Sequence, residues 1–143
     1  MKISQRGIDL IKSFEGCRLT AYKCPAGIWT IGFGTTGTAI KEGLVWSQAQ
    51  ADEALAKHLE EFSRGVTDLL KVSVTQGQFD ALVSFAYNVG PGALRKSTLL
   101  KMLNDGDYSG AAGQFIRWIN KGSSFEAGLR RRREAERQMF AGG

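Results

Sequence analysis

The sequence predicts an α+β fold in a single domain over residues 1–143: a small β-containing N-terminal lobe, a long connecting helix and a helical C-terminal lobe. Three observations carry this. Leu19 to Phe33 is rich in β-branched and aromatic residues punctuated by Pro25, Gly27 and Gly32, which reads as short strands and turns. Ser47-Gln48-Ala49-Gln50 has the form of a capping box and is followed by apolar residues at helical spacing. Thr75 to Gln78 repeats that form ahead of a second, broader apolar face. The lobes are expected at about 1–46 and about 71–143, with the connecting helix at about 47–70.

In chain order, Ser4 precedes Ile8, Leu10, Ile11 and Phe14, one apolar stripe on a short helix that Gly16 can end. Ala21-Tyr22, Ile28 to Ile31 and Gly32-Phe33-Gly34 predict a hairpin or a three-stranded sheet, and Thr35 to Gly43 a loop. Ala51, Ala54, Leu55, Leu59 and Phe62 give the long helix its stripe, with Gly65 a place for a break or kink. Phe79, Leu82, Val83, Phe85 and Ala86 mark the core helix of the second lobe, stopped by Asn88-Val89-Gly90-Pro91-Gly92. Helices are expected over 97–103 and 108–119, separated by Asn104-Asp105-Gly106-Asp107, and a last one over 125–140.

A chain of 143 residues with 43% hydrophobic content can bury one ordinary core. No eighteen-residue apolar window is present, and Met1-Lys2 leads straight into the first amphipathic helix, so neither a membrane span nor a signal peptide is expected. The net charge of +5 favours polyanionic partners without choosing among nucleic acid, acidic membrane and envelope polymer. No helix-turn-helix or RNA-recognition signature accompanies the charge, which argues against nucleic acid. Cys17 and Cys24 fit neither a C-x-x-C redox motif nor a zinc ligand set, so no metal or cofactor is expected.

Between Phe14 and Thr36 there is a single acidic side chain, Glu15, at the end of an apolar helix face and near Phe14, Tyr22 and Trp29. A carboxyl among apolar groups keeps its proton closer to neutrality and can act as a general acid. An idle, solvated helix-end glutamate is the plainer alternative for this residue taken alone.

The stretches Phe14-Glu15-Gly16, Ala21-Tyr22 and Trp29 to Gly34, then Gln78 to Gly90, Ser97 to Leu100 and Gly128-Leu129 with Arg131, Arg132 and Glu136, together resemble the phage-type lysozymes, the endolysins of glycoside hydrolase family 24. The resemblance implies a lysozyme-like fold with a cleft between the lobes. It implies a muramidase that hydrolyses the β-1,4 bond between N-acetylmuramic acid and N-acetylglucosamine of peptidoglycan and so lyses the host. A catalytic Glu, an acidic residue nine positions on and a Thr six beyond that map to Glu15, Cys24 and Thr30. Glu15 would protonate the glycosidic oxygen and Thr30 would hold a water on the opposite face. Cys24 stands where an aspartate is usual, and base, nucleophile and bystander are all open to it. Thr35 also departs from the family pattern, in which His is frequent.

The resemblance further implies substrate contacts at Tyr22, Asn88, Ser97 and Thr98, although Ser97 also reads as a helix N-cap. It implies a regulatory disulfide between Cys17 and Cys24, against the alternative of two small buried thiols. Arg130 to Arg133 is a basic run on the C-terminal helix that offers electrostatic contact with an anionic envelope; solvated pairs with Glu134 and Glu136 are the bland reading, and one of these arginines is expected to reach Glu15. A monomer is expected, held in the host cytoplasm until a holin releases it to the wall. Two rivals remain: a lytic transglycosylase, which needs one carboxylate, and a cationic envelope-disrupting protein without catalysis.

Overall fold

The computed structural model describes residues 1–142. In order come α1 (Gln5–Glu15), β1 (Arg18–Lys23), β2 (Trp29–Gly32), α2 (Gln48–Leu69), α3 (Gln76–Val89), α4 (Pro91–Lys96), α5 (Thr98–Asn104), α6 (Tyr108–Gln114), a 3-10 turn (Phe115–Arg117) and α7 (Glu126–Gly142). β1 and β2 form one antiparallel hairpin in which Tyr22 faces Thr30 and Lys23 faces Trp29. The third strand allowed for is reduced to isolated bridges, Thr20 with Val45 and Ile31 with Thr35.

Both capping boxes form: Ser47 accepts from Gln50 N–H while the Gln50 amide reaches back, and Thr75 and Gln78 do the same. Satisfying two orphan donors at each helix start is what fixes α2 and α3 where the sequence placed them. α2 runs through Gly65 without a break. Val66 beyond it is buried, and the Ser63 hydroxyl accepts from Ile3 N–H at 3.3 Å, so packing overrides the cost of about 1 kcal/mol for a helical glycine.

Two helical expectations fail for local reasons. Gly90-Pro91-Gly92 does stop α3, but Gly90, at φ 98°, also starts α4, because a proline in the first turn needs no N–H partner. The helix expected to Ile119 ends at Gln114 and tightens into the 3-10 turn. There Phe115 packs edge-on against Phe85 and Phe140, with ring centroids 5.5 Å away from each.

α3 lies at the centre of the core, packed on α7, α2 and α1, with Phe79, Leu82, Val83 and Phe85 fully buried. Each such side chain contributes roughly 1.5–3 kcal/mol of burial. Asp80, also buried, anchors α1: it accepts from Ser4 N–H at 2.9 Å, from the Ser4 hydroxyl and from Gln76 Nε2 at 2.8 Å. α1 approaches so closely that a Cβ on Gly7 would stand 2.8 Å from Asp80 Cγ. This anchorage fixes the direction of α1 and therefore the place where its last residue, Glu15, emerges.

Candidate active site

Glu15 closes α1, and Gly16, at φ 67°, turns the chain away while its N–H caps the Lys12 carbonyl at 3.1 Å. The carboxylate does not stand among apolar groups alone. Nη1 of Arg132, from α7, pairs with Glu15 Oε2, and the same guanidinium donates Nη2–H to the Ser84 carbonyl at 3.1 Å and Nε–H to Glu136 Oε2 at 3.3 Å. Ser84 donates its hydroxyl to Glu136 Oε2 at 2.6 Å. Arg133 adds Nε at 2.7 Å from Glu136 Oε1 and Nη2–H to Asn88 Oδ1 at 2.7 Å. Burial pushes the Glu136 carboxyl upward, against the pull of Arg133, Ser84 and Arg132; burial lowers Arg133, against Glu136. The arginine run is thus not a solvated strip: Arg132 and Arg133 are buried, and the exposed Arg130 pairs with Glu126 rather than Glu134.

On its other side Glu15 faces the turn after β2. A Cβ built on Gly34, whose φ is 96°, would stand 3.5 Å from Glu15 Oε1 and 3.8 Å from the Tyr87 hydroxyl. Burial, and then the Glu15 charge, push that hydroxyl up, so it stays a donor at every physiological pH; it donates to the Phe33 carbonyl at 2.7 Å. With Arg132 on Oε2, Oε1 is the oxygen turned to Gly34. An open cavity of about 760 Å³ meets the acid, lined by Phe14, Glu15, Asn88, Phe125, Leu129 and Arg132 among others.

Cys24 and Thr30 come together across the hairpin. Cys24 heads a turn closed by Gly27 N–H to its carbonyl at 2.8 Å. Hydrogen bonds from the backbone of Ile28 and of Ala26, supported by the Thr30 hydroxyl, hold the thiol below its ordinary range despite some desolvation. Thr30 is buried and its hydroxyl donates to the Ile28 carbonyl at 3.0 Å. Because the folded thiol is depressed, its thiolate is present above a pH lower than the unfolded midpoint, and the associated stabilisation is lost as pH falls through the folded value. Alkylation of Cys24 is expected to show a midpoint below the roughly 8.5 of a free thiol. The midpoint should rise in Thr30→Val; mass spectrometry after iodoacetamide pulses across pH 6–10 reads both.

Of the other residues singled out, Tyr22 is half-buried opposite Thr30, with the Arg18 guanidinium 4.6 Å from its ring centroid. Asn88 lines the Glu15 cavity; its carbonyl oxygen is taken by Arg133, which leaves its amide N–H groups for a ligand. Ser97 is buried as the N-cap of α5, accepting from Leu100 N–H at 3.0 Å and donating to the Leu94 carbonyl at 2.7 Å. With Thr98 it lines a separate concavity between α2, α4 and α5, not the one at Glu15. Cys17 and Cys24 are free thiols, Cys17 exposed, at opposite ends of β1. Among the described residues no metal-ligating cluster forms and no helix is long and apolar enough to cross a membrane. Tyr87 and Ser84 were given no role in the sequence, and Glu136 only that of a solvated partner of the arginines, whereas it is buried; the one signal for Tyr87 was a hydroxyl at the end of an otherwise apolar helix face.

A hairpin and a helical bundle meeting at an acid held by a buried arginine define a lysozyme-like protein. The phage lysozyme family model matches residues 12–136, and the chain belongs to that family. The endolysin of Bacillus phage B103 is 51% identical over all of this chain, which spans 55% of that protein's length. The endolysin of Acyrthosiphon pisum secondary endosymbiont phage 1 is 42% identical, with 98% of both chains covered. Among solved structures, the muramidase domain of SpmX from Asticaccaulis excentricus superposes with a TM-score of 0.90 at 39% identity, covering 97% of each chain.

Proposed function

We propose that this chain is a muramidase of the endolysin type, cleaving the β-1,4 bond between N-acetylmuramic acid and N-acetylglucosamine of peptidoglycan. The observation that carries the reading is Glu15, poised at a large open cavity with one oxygen paired to Arg132 and the other facing the turn after β2. Glu15 gives its proton to the glycosidic oxygen as the bond to the anomeric carbon breaks. The Cys24 thiolate, aided by Thr30, accepts a proton from the water that attacks that carbon; the thiol later returns that proton to solvent, and Glu15 takes one back from solvent, which resets both groups. Arg132 then receives the Glu15 carboxylate as its charge develops, which is why a buried cation belongs on that side. Tyr22 flanks Thr30 on the sugar-facing hairpin, and Asn88 offers its amide to the saccharide. Ser97 supports the backbone leading to Thr98, whose exposed hydroxyl meets the polymer further along the helical lobe. The exposed Arg130, Arg131 and Arg137 of α7 add weak attraction to an anionic envelope, and the protein acts as a monomer at the wall once a holin admits it.

Turbidity loss of a peptidoglycan suspension tests the thiol's part. Cys24→Ser is expected to be slower by about 10²-fold and Cys24→Asp to keep most of the rate, the range for a lost or retained general base. A Cys24→Ser enzyme as fast as wild type removes the thiol from the chemistry.

The same cysteine supports a redox reading. Along an extended strand, the seven steps from Cys17 to Cys24 span roughly 20 Å, whereas bridged cysteines need their Cα atoms within about 7 Å. A Cys17–Cys24 disulfide therefore demands that β1 be dismantled, taking Tyr22 and the Cys24 thiolate out of the site. Exchange with a small disulfide oxidant, which carries away the two electrons and two protons, is expected to abolish lysis in wild type and spare Cys17→Ser. Equal activity of fully oxidised and fully reduced wild type would contradict it.

A further inference from the structure

We infer that the Tyr87 hydroxyl is the latch that fixes the β-hairpin against the helical lobe, making Tyr87 a positioning residue for the acid at Glu15; this rests on the muramidase reading above. Among the described residues, its bond to the Phe33 carbonyl is the one hydrogen bond that joins residues 16–46 to residues 71–142. Everything else tying the hairpin side to the helical side there is packing, which fixes contact but not register.

The latch sits where register matters. β2 carries Thr30 and runs directly into Phe33 and Gly34, so holding the Phe33 carbonyl sets both the thiol–threonine pair and the approach of Gly34 to Glu15 Oε1. The acid itself is fixed from the opposite direction, through α1 and through Arg132 on α7. Two halves of one site are thus built on separate supports, and Tyr87 connects them. The tyrosine is itself rigid: its backbone belongs to the buried core helix α3, and its ring packs on Phe62 of α2 with centroids 5.2 Å apart. A hydroxyl on so firm a base transmits the position of the bundle to the strand.

The test uses Tyr87→Phe, which keeps the ring and its packing and removes one oxygen. Ile31 N–H to the Thr35 carbonyl at 3.0 Å and Thr35 N–H to the Ile31 carbonyl at 2.8 Å close the adjoining turn and serve as reporters. Hydrogen exchange at these two amides is expected to speed up about five- to tenfold, the weight of one net hydrogen bond. The α3 amides should stay within about twofold of wild type, and kcat on peptidoglycan should fall about tenfold with KM changed less than about twofold. Phe62→Leu, which loosens the ring but keeps the hydroxyl, is the control for a purely structural role: it should lower the melting temperature more, yet speed the reporter amides less. Wild-type exchange at Ile31 and Thr35 in Tyr87→Phe would overturn the latch, as would faster exchange with unchanged kcat. If wild type itself fails to cleave peptidoglycan, the muramidase reading falls, while the contrast in exchange between the two variants still decides whether the latch exists.

Discussion

Glu15→Gln is expected to lose about 10³-fold in the rate of peptidoglycan cleavage, the middle of the range for a positioned general acid. The substitution is nearly isosteric and keeps an oxygen that can accept from Arg132 Nη1, so α1 and the cavity wall should stay in place. What it removes is the carboxyl's capacity to donate a proton to the substrate. A loss confined to kcat, with wild-type melting, identifies transition-state chemistry; a loss accompanied by unfolding would identify Glu15 as a structural partner of Arg132 instead. The same variant separates catalysis from charge: if the protein acted only as a cationic envelope disrupter, Glu15→Gln would gain net positive charge and kill at least as well.

The largest stability effect is expected at Glu136→Ala. Glu136 is completely buried and is the shared anion for Arg132, Arg133 and the Ser84 hydroxyl. Removing it leaves two guanidinium groups in the core with their main counter-charge gone, a loss of about 3–5 kcal/mol for a broken buried pair. A domain of this size is stable by only about 5–15 kcal/mol in total. Thermal or urea unfolding should therefore show a large shift, and Arg132 should lose its hold on Glu15, so activity falls in the molecules that remain folded. Glu136→Gln, which keeps one acceptor oxygen and fills the same volume, should cost less than the alanine variant. A Glu136→Ala protein as stable as wild type would mean that water or another acid replaces the carboxylate.

These two sites also mark where the sequence was and was not legible. The capping boxes at Ser47 and Thr75 were readable because a cap involves four adjacent residues and no partner from elsewhere. The hairpin and the cysteine–threonine pair lie within one short stretch, so their spacing survives into geometry. Arg132 and Arg133 looked like surface residues because their burial depends on partners far along the chain: Glu15 is 117 positions from Arg132, and Ser84 is 52 from Glu136. The interleaved glutamates carried half of that information, since Arg132 and Glu136 do pair at i,i+4, but the pattern gives no sign of depth. Tyr87 was hidden for the same reason, its acceptor lying 54 residues away. Gly65 and Pro91 misled in the opposite way: their local preferences were real, and packing in one case and a permissive first helical turn in the other overrode them.

The position of Cys24 shapes the chemistry that remains to be tested. With Cys24 in place of a second carboxylate, a lytic transglycosylase, in which a hydroxyl of the sugar attacks, needs only Glu15. On the proposed reading, the thiol at Cys24, held below its ordinary range by backbone amides and Thr30, would serve as the base for an attacking water, which favours hydrolysis over the one-carboxylate route.

Mass-spectrometric analysis of the fragments released from purified peptidoglycan by wild-type protein, with Glu15→Gln as the blank, tests the central claim most directly. Hydrolysis by Glu15 predicts new reducing N-acetylmuramic acid ends that are absent from the blank. Anhydro ends, or no new saccharide ends from a folded wild-type protein, would contradict it.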